Sequence, residues 1–188
     1  MSAAIEAAAG RPFAAYMQTE VFDRLGLAHT TVDQNRRIIE DRSRFYARED
    51  NGPVENAPYV DNSYKLAAGG LLSTPEDLVK FGSALLEPGY LNARSLAFLF
   101  TPQTTAAGEK TGYGMGWSID LSKSGQRIYT HSGGSVGGRS RLILYPDLRL
   151  VVALVANLGE AKFQIEEVES IAEPFALEKK TAASAGGH

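Results

Sequence analysis

The chain has 188 residues, 44% of them hydrophobic and 22% charged, with 22 acidic against 19 basic side chains and a formal net charge of -3. These values fit a globular chain that buries a core, organised as one compact unit or two small lobes. They exclude a basic nucleic-acid-binding stripe and an apolar run of about 18 residues that would span a membrane. With no cysteine, disulfides and thiolate metal sites are excluded too.

Met1 to Gly10 reads as an alanine-rich helix end closed by Gly10, without the basic region and apolar stretch of a secretory signal. A sequence that opens inside a helical pattern is expected to be a truncated one. Pro12 marks the next helix start, with Phe13, Tyr16, Met17, Val21 and Leu25 on one face and Gly26 as its end. Residues 30–62, rich in Asp, Asn and Arg, read as a long surface excursion. Ser73-Thr74-Pro75-Glu76-Asp77 is a strong helix start, and Leu78, Phe81 and Leu85 form the stripe that follows. Asn92 caps a shorter helix that Thr101-Pro102 stops.

From there the pattern changes to strands. Met115 to Leu121 alternates, Ser122 to Gly125 turns, and Arg127 to His131 runs back. Arg141 to Tyr145 and Leu148 to Asn157 flank a turn at Pro146-Asp147. Leu150 to Ala156 is apolar on both faces, the signature of a strand in the middle of a covered sheet. A closing helix follows, with Ile165, Val168, Ile171, Ala172 and Phe175 on one face and Pro174 expected to bend or end it. The fold class is therefore α+β: a helical region, antiparallel strands, then one helix. The expected divisions are 1–108, helical and lining the site; 109–178, sheet strands plus closing helix; and 179–188, a disordered tail. So small a sheet is expected to need partners on its open edge.

The most informative segment is the glycine-rich turn His131-Ser132-Gly133-Gly134-Ser135-Val136-Gly137-Gly138, expected between two strands. Four glycines in eight positions imply positive φ angles or close approach of a ligand to the backbone, against the plainer reading of a flexible loop. Its Gly133-Gly134-Ser135-Val136-Gly137 spells G-x-S-x-G, but that nucleophile elbow requires a helix immediately after the serine, and Arg139 to Tyr145 reads as a strand. Lys110-Thr111-Gly112 spells K-T-G in a polar loop, and Tyr90-Leu91-Asn92 spells Y-x-N at a helix cap; both read as chance. Metal and phosphate motifs are missing, so no cofactor is expected.

Several segments carry a resemblance together: Pro58-Tyr59-Val60-Asp61-Asn62-Ser63-Tyr64-Lys65, Ala68-Gly69-Gly70-Leu71-Leu72-Ser73-Thr74, Asp77-Leu78-Val79-Lys80-Phe81-Gly82, Tyr113-Gly114-Met115-Gly116-Trp117, His131-Ser132-Gly133-Gly134 and the strand ending at Asn157. In this order they resemble the serine β-lactamase and penicillin-binding-protein superfamily, in particular its branch of mitochondrial serine β-lactamase-like proteins and their bacterial relatives. The resemblance implies an incomplete β-lactamase/transpeptidase-like fold. It makes His131-Ser132-Gly133 the counterpart of the K-T-G or H-x-G strand motif. His131 and Ser132 would then hold the substrate and assist proton transfer, and the Gly134 N–H would supply one oxyanion donor. Asn157 matches a position facing a substrate carboxylate in some relatives, and Asp61, Asn62 and Tyr64 would shape the pocket wall.

The departure from the family is as informative as the match. The family acylates the serine of S-x-x-K, and no lysine in this chain has a serine three residues before it. The Y-x-N tyrosine is missing from its expected place as well. The reading is a C-terminal portion of a serine hydrolase that acts on an amide or ester through an acyl-enzyme and is inactive alone. The whole enzyme would take a small-molecule or peptide substrate. The portion seen here would pair with the missing N-terminal half or with copies of itself. The alternative is a non-enzymatic scaffold that keeps the half-fold as an interaction surface.

Overall fold

A computed structural model describes residues 1–50 and 52–185. The first helix, α1 (Ser2–Ala9), ends at Gly10, whose φ of 67° lets its N–H turn back to the Glu6 carbonyl. Pro12 leads into α2 (Phe13–Met17), which passes directly into a π-helical turn over Gln18–Asp23. The expected stripe is therefore only partly realised. The wider turn shifts the phase of the helix, so Phe22 at 2% exposure, and not Val21 or Leu25, is buried beside Phe13 and Leu27.

The polar excursion is not wholly on the surface. It carries the two-residue strands β1 (Thr31–Val32), β2 (Tyr46–Ala47) and β3 (Glu55–Asn56), and it is pinned by a buried carboxylate at Asp33. A 3₁₀ turn (Ser63–Lys65), α3 (Leu66–Gly69) and β4 (Leu71–Leu72) follow, with β4 antiparallel to β1 and β3 to β2. Then come α4 (Pro75–Leu86) and α5 (Ala93–Leu99), the latter capped as expected by Asn92, whose Oδ1 accepts from the Ser95 N–H at 2.8 Å.

Four strands form the main sheet in the order β5-β6-β7-β8: β5 (Ser118–Leu121), β6 (Arg127–Ser135), β7 (Gly138–Tyr145) and β8 (Leu150–Ala156). Two expectations are corrected here. The glycine-rich segment is mostly strand, since β6 runs on to Ser135 and only Val136 and Gly137 turn the chain. Gly137 has φ 71°, and a Cβ there would lie 2.5 Å from Cβ of Phe45 and 2.9 Å from Cβ of Ala57, so glycine is required both by the turn and by the neighbours. In turn, β8 stands at the end of the sheet, not in its middle, and its apolar residues are half-buried apart from Val155, which is exposed.

The closing helix α6 (Ile165–Ala185) carries Pro174 inside it without ending there. Pro174 and Ser170 are both exposed, which leaves the carbonyl freed by the proline open to water. Of its expected apolar face, Val168 (0%) and Ala172 (1%) are buried, while Ile171 (48%) and Phe175 (55%) are exposed. The helix extends into the small, polar segment expected as a tail, and residues 186–188 of that segment lie outside the described residues.

The chain forms two compact units that interleave in sequence. One comprises Met1–Phe81, Gly133–Ser140 and Val155–Lys162. Its buried apolar residues include Phe13, Phe22, Leu27 and Val32. The other comprises Gly82–Ser132, Arg141–Leu154 and the chain from Phe163 onward. Its core joins Ile128, Ile143, Tyr145, Val168 and Ala172, with Leu150, Val152 and Leu154 of β8 packed against them. A second cluster there stacks Phe100 on Tyr129, with ring centroids 4.0 Å apart, and tilts it against the buried Trp117. No helix among the described residues is long and apolar enough to cross a membrane.

Candidate active site

The end of β6 lacks large side chains for a steric reason. In a two-residue hairpin, Gly134 faces Arg139 across the ladder and Gly133 faces Ser140, one pair on each face. A Cβ on Gly134 would lie 2.5 Å from the Arg139 Nη1, and one on Gly133 would lie 2.3 Å from the Ser140 Oγ. Both glycines therefore leave room that their cross-strand neighbours use. Just before them on the same strand, His131 and Ser132 are exposed. The Tyr113 ring meets the His131 imidazole edge-on with centroids 6.5 Å apart, which orients an otherwise open side chain.

In the first unit a cavity of about 390 Å³ opens beside this strand end. Its walls are mostly apolar, with Phe22, Leu27, Leu72, Leu78 and Phe81 among them, and the hairpin contributes Gly133, Gly134, Ser135 and Ser140. The volume falls in the range of small-molecule pockets. The π-helical turn shapes one side, because it brings both Val21 and Phe22 to the lining.

Two polar groups anchor this region. Asp77, fully buried, accepts from the His29 main-chain N–H at 2.8 Å, the Thr30 hydroxyl at 2.9 Å and the Lys80 ammonium at 3.1 Å. Burial opposes ionisation, but the His29 N–H, the Lys80 ammonium and the Thr30 hydroxyl outweigh it, holding the Asp77 carboxyl below its usual range. The second group is Lys65, whose Nζ donates to the Ser135 Oγ at 3.0 Å.

The candidate residues divide as follows. Gly133 and Gly134 line the cavity; Asp61, Asn62, Tyr64 and Asn157 are not among its lining residues. Asn62 is buried and donates from Nδ2 to the Asp33 carboxylate at 2.8 Å, and Arg42 pairs with the other Asp33 oxygen at 2.7 Å. Asp61 is exposed, and the Ser63 main-chain N–H at 2.9 Å holds its carboxyl below the usual range. Tyr64 is 84% exposed. Asn157 is exposed and ties down the excursion, donating from Nδ2 to the Arg44 carbonyl at 3.0 Å. Lys110-Thr111-Gly112 is a loop whose Thr111 hydroxyl bonds to the carbonyls of Gln103 and Tyr113, consistent with a chance motif. The Lys65–Ser135 contact and the Asp33–Arg42–Asn62 knot were not foreseen. Their partners lie 70, 9 and 29 positions apart, and no local sequence signal links them.

Residues 1–173 match the Beta-lactamase family. The chain is 36% identical to the mitochondrial serine beta-lactamase-like protein LACTB of Mus musculus and of Homo sapiens, over 78% of this chain and 31% of that protein. It is 30% identical to penicillin-binding protein 4* of Bacillus subtilis (strain 168), over 83% of this chain and 37% of that one. Among solved structures, a D-stereospecific amidohydrolase from Streptomyces sp. superposes with a TM-score of 0.77 at 27% identity, over 90% of this chain and 51% of that one. An octameric penicillin-binding protein homologue from Pyrococcus abyssi superposes with a TM-score of 0.74 at 19% identity, over 93% of this chain and 40% of that one. The architecture is thus that of β-lactamase/transpeptidase-like proteins. This chain belongs to the beta-lactamase family of serine hydrolases, and it spans about a third of the length of the curated relatives it matches.

Proposed function

We propose that the strand segment His131–Gly134 forms one wall of an acyl-enzyme site for amide or ester hydrolysis, completed by polypeptide outside these 188 residues that carries S-x-x-K and the Y-x-N tyrosine. In that complete site the serine Oγ attacks the substrate carbonyl carbon and its proton passes to the lysine. The Gly134 N–H donates to the oxyanion, a role a fixed main-chain donor fills without reorganising. His131 and Ser132 hold the substrate and help deliver the proton to the leaving group. Water then hydrolyses the acyl ester, returning the serine. Asp61, Asn62, Tyr64 and Asn157 act behind this wall, fixing the loops that frame it.

The observation that supports this reading most is the strand itself: β5 pairs with β6 only as far as Thr130, so from exposed His131 and Ser132 to Gly134 the edge on that side has no partner strand among the described residues and substrate can lie along the backbone. The test is acylation by a fluorescent penicillin or a fluorophosphonate, read by intact mass. The chain alone should take up no label. Co-expressed with a nucleophile-bearing half, it should support one adduct on that half and turnover of a chromogenic ester. There, His131→Ala should lower kcat/KM by about 10²–10⁴, the usual worth of a positioned proton-transfer group. A stoichiometric adduct on the lone chain, or an unchanged kcat/KM in the variant, would defeat the proposal.

A further inference from the structure

Within the second unit, a cleft of about 400 Å³ lies between α6 and the turn from β5 to β6, and none of its residues takes part in the acyl-enzyme reading. The helix contributes three carboxylates to its lining, Glu166, Glu169 and Glu173. They stand at i, i+3 and i+7, where like charges on one helix face disfavour each other. None of the three makes an ion pair among the described residues. Glu169, half-buried, accepts only the Lys123 main-chain N–H, at 3.1 Å. The Lys123 ammonium is the one cationic group in the lining, set against three anions.

Tyr145 lines the same cleft. Its side chain is 3% exposed, with the ring in the core of this unit, and its hydroxyl bonds no protein group among the described residues. That hydroxyl is the only polar atom of the side chain, so it is left for whatever fills the cleft. Burial and the charge of Glu169 push its pKa up to about 12, which keeps it neutral and able to accept from an ammonium.

We infer that this cleft binds a linear aliphatic triamine laid along α6, with one ammonium at each of Glu166, Glu169 and Glu173 and the middle one also donating to the Tyr145 hydroxyl. Spacing selects the ligand. The three positions are separated along the helix axis by about 4.5 Å and then about 6 Å, gaps that a three-carbon and a four-carbon spacer bridge. A metal ion does not fit, since no group of acidic and histidine side chains among the described residues is placed to hold one.

The probes are spermidine and 1,8-diaminooctane, titrated by calorimetry into the intact chain. The two have the same end-to-end chain, and the diamine carries a methylene where the triamine has its middle nitrogen. Spermidine should bind about tenfold tighter, the worth of one hydrogen bond between charged groups in a part-buried place. Glu169→Gln keeps an acceptor for the Lys123 N–H and should erase that preference while changing the affinity for the diamine far less. Tyr145→Phe should weaken spermidine several-fold and leave the diamine unaffected, because the hydroxyl it removes has no protein partner. Glu173→Gln should weaken both amines. Circular dichroism checks that each variant is folded, and if Glu169→Gln is not, Tyr145→Phe gives the same comparison. Equal affinity for the two amines would show only a solvated acidic face and overturn the assignment. So would an undiminished preference in folded Glu169→Gln or Tyr145→Phe, or no binding by the folded chain.

Discussion

Asp77 does two jobs that its sequence context separates. As one of two acids in the first turn of α4 it is legible as a favourable charge near a helix N-terminus. Its larger role is as a tether: its carboxylate holds the His29 N–H and the Thr30 hydroxyl, 48 and 47 positions away, and neither partner is visible from the local pattern. Because the folded carboxyl lies below its unfolded value, the stability it contributes is present at neutral pH and is lost as pH falls through that depressed value. Asp77→Asn should therefore lower the unfolding free energy at pH 7 by about 1–3 kcal/mol, read from a lower urea midpoint, for buried donors losing an ionised acceptor. The gap between variant and parent should narrow between pH 7 and a pH below the ordinary carboxylate range, as the depressed carboxyl becomes protonated. An equal gap at both pH values would mean that the charge is not what holds this corner. Asn92 is the opposite case: its whole role lies within three residues, and the cap was readable directly.

At the scale of elements, what could be read in advance depended on how local the cause was. Helix starts at Pro12 and Pro75 follow from residues adjacent to them. The π-helical turn does not: it buries Phe22 and leaves Val21 and Leu25 half-buried, a phase that a 3.6-residue stripe through Phe13 does not give. The place of β8 was misjudged because an apolar run reports how its faces are covered and not how its edges are paired. One face packs on the α6 core, and Val151 on the other meets α4 at Gly82. A Cβ on Gly82 would sit 2.7 Å from Val151 Cγ1 and 3.3 Å from Leu144 Cδ1. Gly82→Ala gains roughly 0.5–1 kcal/mol in helix propensity. Overpacking against a β-branched side chain with little rotamer freedom costs about 1–3 kcal/mol. The clash should win, and urea unfolding should show net destabilisation; a stabilised variant would mean that the helix and strand part easily.

For the molecule as a whole, the two compact units draw on interleaved stretches of chain, a division set by long-range pairing and absent from composition. What was legible at this scale was the class, helices then antiparallel strands then a helix, because each element announces its own period. The terminal position of β8 makes a prediction about exchange. Amides of Leu150–Ala156 that point away from β7 have no partner strand among the described residues. In the isolated chain at low concentration, alternate amides of this strand should exchange with deuterium much faster than their neighbours. Uniform protection there would show that the edge is already covered, by another copy or otherwise. On addition of the nucleophile-bearing half, slowing confined to the fast set would identify β8 as the joint.

That edge also has a consequence for fidelity. Main-chain N–H and C=O groups are the same in every polypeptide, so a strand that recruits through them accepts any extended segment of suitable length. Whatever joins there must be vetted elsewhere, after contact and not before it. Leu150, Val152 and Leu154 pack on the α6 core and Val151 meets α4, which leaves little side-chain relief along that part of the joint with which to refuse a wrong strand. Discrimination would then fall to speed and proximity: a segment tethered nearby reaches the edge before a stranger does, and the outcome is settled by arrival and not by fit.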